Sequence, residues 1–181
     1  MEGQVRASRW TYLGLFAVSL ATVMYEILLT RIFSVTMWYH FAFMAISLAM
    51  FGLTAGGLAV YRNPQHYEGR SLKRQLALSS FFFGLWALAS FLIHLLIPFI
   101  PQTSVIGVAS LATTYVITAV PFAFSGICVC AALTKFPGQV SKLYGADLAG
   151  AATGCVLLIP VLRAVDAPTA VVLVAVLGTA A

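Results

Sequence analysis

Three long stretches of this chain, residues 39–61, 76–101 and 103–134, hold no Asp, Glu, Lys or Arg. A helix needs about 20 mostly apolar residues to cross a hydrocarbon core ~30 Å thick, and each stretch is long enough. A soluble amphipathic helix would alternate faces instead, with polar residues recurring on every turn. The expected fold is therefore all-α and integral to a membrane, a bundle of about six transmembrane helices. Composition agrees: of 181 residues, 61% are hydrophobic and 8% charged, where a soluble domain carries about 25% charged.

The chain reads as one transmembrane helical domain over 1–181, with spans near 10–30, 38–61, 76–97, 105–134, 144–162 and 169–181. The last is too short to cross alone and is expected to be incomplete. Trp10 and Tyr12 suit a membrane–water interface. Pro98 and Pro101 should end the third span, and Pro121 should kink the fourth. Arg6 and Arg9 precede an apolar run as in a signal peptide. That run exceeds the usual ~7–15 residues and lacks a small-residue cleavage site, so the first helix is expected to be retained.

Charge sets the expected orientation. With the N-terminus in the cytoplasm, the inner segments hold eight basic residues: Arg6, Arg9, Arg62, Arg70, Lys73, Arg74, Lys135 and Lys142. The outer side holds two, Arg31 and Arg163. That asymmetry obeys the positive-inside rule and places the chain in an inner, cytoplasmic membrane as a multi-pass protein. The net charge of +5 falls between apolar spans, not on one folded face, which argues for lipid headgroups as partners and against nucleic acid.

Function has to be sought in polar residues that lie within apolar spans. Glu26 is one: a charged group at mid-membrane costs ~2.5–3.5 kcal/mol on insertion scales, less when off centre. Arg31 follows five residues later, about 140° around a helix, so the two do not face each other. His40 and His94 fall at the same outer level, and with Glu26, Tyr25, Arg31 and Tyr39 they form a candidate polar cluster. Asp147 is expected in the first turn of the fifth helix, where the macrodipole favours an acid, with bonding to another helix as the alternative. Gly52 and Gly56 on the second helix, and Ala146, Gly150 and Gly154 on the fifth, form small-residue stripes of the kind that let membrane helices pack closely.

Cys128 and Cys130 point apart on one helix and Cys155 stands alone, so the thiols read as small apolar side chains. No P-loop, G-x-S-x-G or H-E-x-x-H motif occurs, and five acidic residues make a two-carboxylate site hard to assemble. The sequence assigns no catalytic residue, metal or cofactor.

Two segments carry a resemblance. Tyr25-Glu26-Ile27-Leu28-Leu29-Thr30-Arg31, with the Gly-rich stretch through Gly56-Gly57, resembles the opening of membrane-embedded spermidine synthase-like proteins. Leu143-Tyr144-Gly145-Ala146-Asp147-Leu148-Ala149-Gly150-Ala151 resembles a later helix of the same region. The resemblance implies a membrane region that precedes a cytoplasmic aminopropyltransferase-type domain. The signature of that domain is missing here, so what is implied is the membrane module and not the catalyst, with Glu26, Arg31 and Asp147 as its polar anchors. The leading expectation is thus a non-catalytic membrane module that anchors a cytoplasmic domain or packs with other membrane subunits. A transporter of a small cation or amine, using Glu26, is the alternative. A redox subunit holding haem or quinone near His40 and His94 is a second one.

Overall fold

The structure, a computed structural model, describes residues 7–37, 41–68, 70–97 and 105–181. The described residues form six α-helices: α1 (Arg9–Thr36), α2 (Ala42–Arg62), α3 (Arg70–Leu96), α4 (Val105–Lys135), α5 (Val140–Ala164) and α6 (Ala167–Ala180). Short 3-10 turns at Pro64–Tyr67 and Pro137–Gln139 join α2 to α3 and α4 to α5. Five helices are long and apolar enough to cross a membrane. The sixth has 14 residues, about 21 Å of helix, short of the ~30 Å a hydrocarbon core requires.

Several helices extend past their apolar spans. The Ser8 side chain accepts the Trp10 backbone N–H and starts α1. The helix then continues past Thr30 to Thr36 because Ile32 and Phe33 are buried in the core. Arg31 is therefore inside the helix. The basic residues Lys73 and Arg74 lie in the first turns of α3. Pro121 sits within α4 without ending it, and Pro160 within α5. Hydroxyls also bond within their own helices: Thr54, Thr113, Thr118, Thr134 and Thr153 each donate to the carbonyl four residues back. Such back-bonding satisfies a hydroxyl where water is scarce.

Helix α1 is the hub, packed against α2, α4, α5 and α6. Helix α4 also packs on α2 and α3, and α3 on α6. Tyr25, Leu28, Leu29 and Phe33 of α1 meet Leu48, Phe83, Phe122, Leu158 and Val174 in the main core. A second core of Leu15, Val60, Leu72, Phe136 and Leu143 lies at the end where α1, α3 and α5 begin. At that same end the Ala7 N–H donates to Gln139 Oε1 at 2.8 Å, and Lys135 Nζ donates to Pro64 O and pairs with Glu68, each at 3.1 Å. Arg9, Arg62, Lys73, Arg74, Lys135 and Lys142 thus share one end of the bundle, while Arg31 and Arg163 lie toward the other.

Glycines set the helix spacing at three seams. A Cβ on Gly52 would come within 2.5 Å of Ala119 O and Phe122 Cβ, and one on Gly56 would strike Ala123 O. From the other side, Gly126 faces the Leu53 backbone, so α2 and α4 interlock. Gly150 meets Phe16 O and Gly154 meets Leu20 O at the α1–α5 seam. Gly84 and Gly178 do the same between α3 and α6. Only residues without a side chain let two backbones approach this closely, and the reward is dispersion contact along both helices. The opposite faces stay apolar and open. Phe43, Met50, Phe51 and Leu58 on α2, and Leu148, Val156, Leu157 and Ile159 on α5, are exposed.

Candidate functional site

The polar side chains of α1 radiate to its neighbours because successive residues turn by about 100°. Ser19, buried, donates to Asp147 Oδ1 on α5. Thr22 Oγ1 lies 2.6 Å from Ser125 Oγ on α4. Its own proton goes to Val18 O at 2.7 Å, so Ser125 is the donor between the two. The Tyr25 hydroxyl donates to Ala87 O on α3 at 3.0 Å and lies 2.8 Å from Ser90 Oγ. Its ring packs on Phe122 at 5.5 Å. Near the far end, Thr36 Oγ1 is 3.0 Å from His94 Nε2 on α3.

The structure does not draw the candidate residues into one cluster. Glu26 is half-buried, with no hydrogen bond or ion pair among the described residues. Arg31 is exposed and does not pair with Glu26. His40 and Tyr39 lie outside the described residues. His94 is buried against Phe33, ring centroids 5.1 Å apart. Asp147 is not in the first turn of its helix: α5 begins at Val140, through the turn at Pro137–Gln139, which leaves the carboxylate two turns inside. What it meets is a hydroxyl on α1, so the macrodipole does not account for its position. Ala146 is half-buried one turn before Gly150. No group of three or more His, Cys, Asp or Glu side chains capable of holding a metal occurs among the described residues.

Ser19, Thr22, Thr36, Ser90 and Ser125 escape sequence reasoning. Ser and Thr are frequent in apolar helices and most bond only their own backbone, so nothing in the pattern marks the ones that reach across. The glycines Gly84, Gly126 and Gly178 belong to no G-x-x-x-G pair, and their role appears only when the partner helix is in place.

Among the described residues, cavities open between helices at both ends of the bundle. One, about 270 Å³, lies at the basic end between Thr11, Gly14, Lys73, Ser80 and Cys128. The other, about 230 Å³, lies at the opposite end beside His94. The cysteine thiols stay unpaired: Cys128 is directed at Leu76 O and Cys130 at Gly57 O, while Cys155 is exposed. In the α5–α6 connection, the Thr169 hydroxyl donates to Asp166 at 2.6 Å and holds that carboxyl below its ordinary range, with the Asp166 backbone N–H adding to the effect.

Comparison with family models, curated proteins and solved structures finds no match to this chain.

Proposed function

We propose that this chain is a non-catalytic, multi-pass module of an inner membrane, with its N-terminus in the cytoplasm, that anchors a cytoplasmic domain or packs with other membrane subunits. One observation carries the reading: polar side chains in the bundle interior are paired helix to helix. Ser19 with Asp147, Thr22 with Ser125, and Tyr25 with Ser90 join α1 to α5, α4 and α3. Groups engaged in this way fix packing and leave little polar lining for a solute path. The five long apolar helices and the basic residues at one end support the membrane placement and the orientation. The exposed apolar faces of α2 and α5 are surfaces that lipid or a membrane partner would cover. The likeness to the membrane region of spermidine synthase-like proteins rests on 25–31 and 143–151, segments of the neighbouring helices α1 and α5.

A second reading, transport of a small cation or amine, is favoured by the half-buried Glu26 carboxylate, which has no partner among the described residues. Purified protein in proteoliposomes separates the two. The module reading expects no protein-dependent uptake of protons or methylammonium, and an absorption spectrum free of haem bands. Uptake that the Glu26→Gln variant abolishes would overturn it in favour of transport, and a haem spectrum would favour a redox subunit.

A further inference from the structure

The cavity of about 270 Å³ at the basic end opens between the first turns of α1 and α3, beside α4. The polar side chains at its mouth are donors without acceptors. Lys73 forms no ion pair or hydrogen bond among the described residues. Thr11 sits in the first turn of α1, where no helical carbonyl lies four residues back, and its hydroxyl has no acceptor among the described residues. Ser8 Oγ accepts the Trp10 N–H at 3.4 Å, which leaves its own proton unassigned to any described acceptor. Lys73 is exposed and Ser8 and Thr11 are half-buried, so a ligand can reach all three. Deeper in, the polar groups are already engaged: the Ser80 hydroxyl donates to Gly178 O, and the Cys128 thiol is directed at Leu76 O. No Asp or Glu lines the cavity. A cation and two hydroxyls with no facing carboxylate favour an oxyanion, through charge-assisted hydrogen bonds.

Polar and apolar lining are ordered along the helix axes. Ser8, Thr11 and Lys73 lie at or near the helix starts, while Leu15 and Val18 follow about 10 and 15 Å further along α1 from Ser8. Leu76 and Ala77 lie one turn beyond Lys73 on α3. Trp10, 79% exposed, stands at the mouth, and indoles gather at the membrane–water interface. The Ala181 backbone, set against Gly14, closes the α6 side. Donors at the interface with apolar surface toward the hydrocarbon match the order of a phospholipid. A small inorganic anion would leave the apolar wall uncovered, and a bare hydrocarbon would leave the donors unpaired. A choline or ethanolamine cation would find no lining carboxylate, so a net negative headgroup fits better. The volume exceeds the ~150 Å³ at which an apolar cavity takes up benzene, room for part of one acyl chain. We propose that this cavity holds one anionic phospholipid of the inner leaflet, its phosphate accepting from Lys73, Thr11 and Ser8 and an acyl chain lying along Leu76 and Ala77 toward Leu15 and Val18.

The test titrates the full chain in detergent micelles with dioctanoyl phosphatidylglycerol or dioctanoyl phosphatidylcholine and counts bound lipid by native mass spectrometry. One phosphatidylglycerol is expected to bind saturably and more tightly than phosphatidylcholine. Lys73→Gln should weaken it about tenfold, the scale of one charged hydrogen bond, and Thr11→Val should weaken it by less. Arg62→Gln removes a charge from the same end but not from the cavity, and should leave binding unchanged. Ala77 is exposed, so Ala77→Phe fills the mouth without burying a clash. That variant should lose the bound lipid while its thermal unfolding stays that of the parent, which separates loss of the cavity from loss of the fold. Equal weakening by Lys73→Gln and Arg62→Gln would reduce the effect to diffuse charge. Inorganic phosphate that displaces the lipid at equal concentration would show that the apolar wall adds nothing. Either result, or equal binding of the two lipids, would overturn the proposal. The choice of leaflet rests on the orientation proposed above, whereas binding in micelles does not, so the two can fail separately.

Discussion

Tyr25 is completely buried, yet its hydroxyl is not isolated. Ser90 Oγ also reaches Ala87 O, at 3.2 Å, so phenol, hydroxyl and carbonyl form a closed triangle. In Tyr25→Phe the carbonyl keeps Ser90, and no buried acceptor is orphaned. The expected loss is about 1 kcal/mol, the scale of an interhelical hydrogen bond in a membrane protein, read as a shift in unfolding in mixed micelles. A loss above about 3 kcal/mol would mean that the hydroxyl contributes more than this triangle accounts for. Asp166 gives a pH prediction at the same scale. Its carboxyl is held below 3.8 by the Thr169 hydroxyl, so this bond stabilises the fold above 3.8 and is lost as pH falls through the lower folded value. The group is fully exposed, and solvent screening keeps the effect small. Thr169→Val should move the Asp166 midpoint upward in an NMR titration, and an unchanged midpoint would refute the assignment.

Glycine positions give the sharpest contrast between helices. A methyl at Gly56 would meet the backbone of α4 at Ala123 and Ile127, which cannot swing aside as a side chain can. Gly56→Ala should separate the α2–α4 seam and destabilise the protein by about 1–3 kcal/mol, the cost of overpacking. Gly145, on α5, has nothing within 4 Å of the added carbon. Gly145→Ala should be neutral or stabilising by up to ~1 kcal/mol, because alanine loses less backbone freedom in a helix. Measuring both variants in one micelle system checks the argument, since equal losses would place the seam elsewhere. The stripes at Gly52, Gly56, Gly150 and Gly154 are legible in the sequence as spacing, but spacing does not name the facing helix. Gly84, Gly126 and Gly178 have no such spacing and are visible only from the partner backbone. The bounds of α1 and α5 also differ from their apolar spans. Core packing carries them past those spans: Ile32 and Phe33 are buried beyond Arg31 on α1, and Leu143 is buried in the first turn of α5.

For the molecule as a whole, the orientation proposed from charge makes a direct prediction. In a variant with Cys128, Cys130 and Cys155 replaced by alanine, a cysteine at Gln65 lies in the connection at the basic end, and one at Val165 lies in the α5–α6 connection at the other. In intact cells, a membrane-impermeant maleimide should label the Val165→Cys variant and spare the Gln65→Cys variant, which should react only after the membrane is opened. The opposite pattern would invert the topology. Labelling of both without permeabilisation would remove the protein from the bilayer.

Hydrophobic runs and the placement of charge settle the helical class and the number of long apolar helices, because these follow from local composition and run length. They do not reveal which polar side chains act together. Glu26, Arg31 and Asp147 stand out by charge, yet Glu26 and Arg31 do not pair, and Asp147 finds a serine on α1. His94 meets the Thr36 hydroxyl, 58 residues away in the chain, only because α3 lies beside the end of α1. Pairings between residues far apart in the chain are set by which helix faces meet, and only the three-dimensional packing decides that.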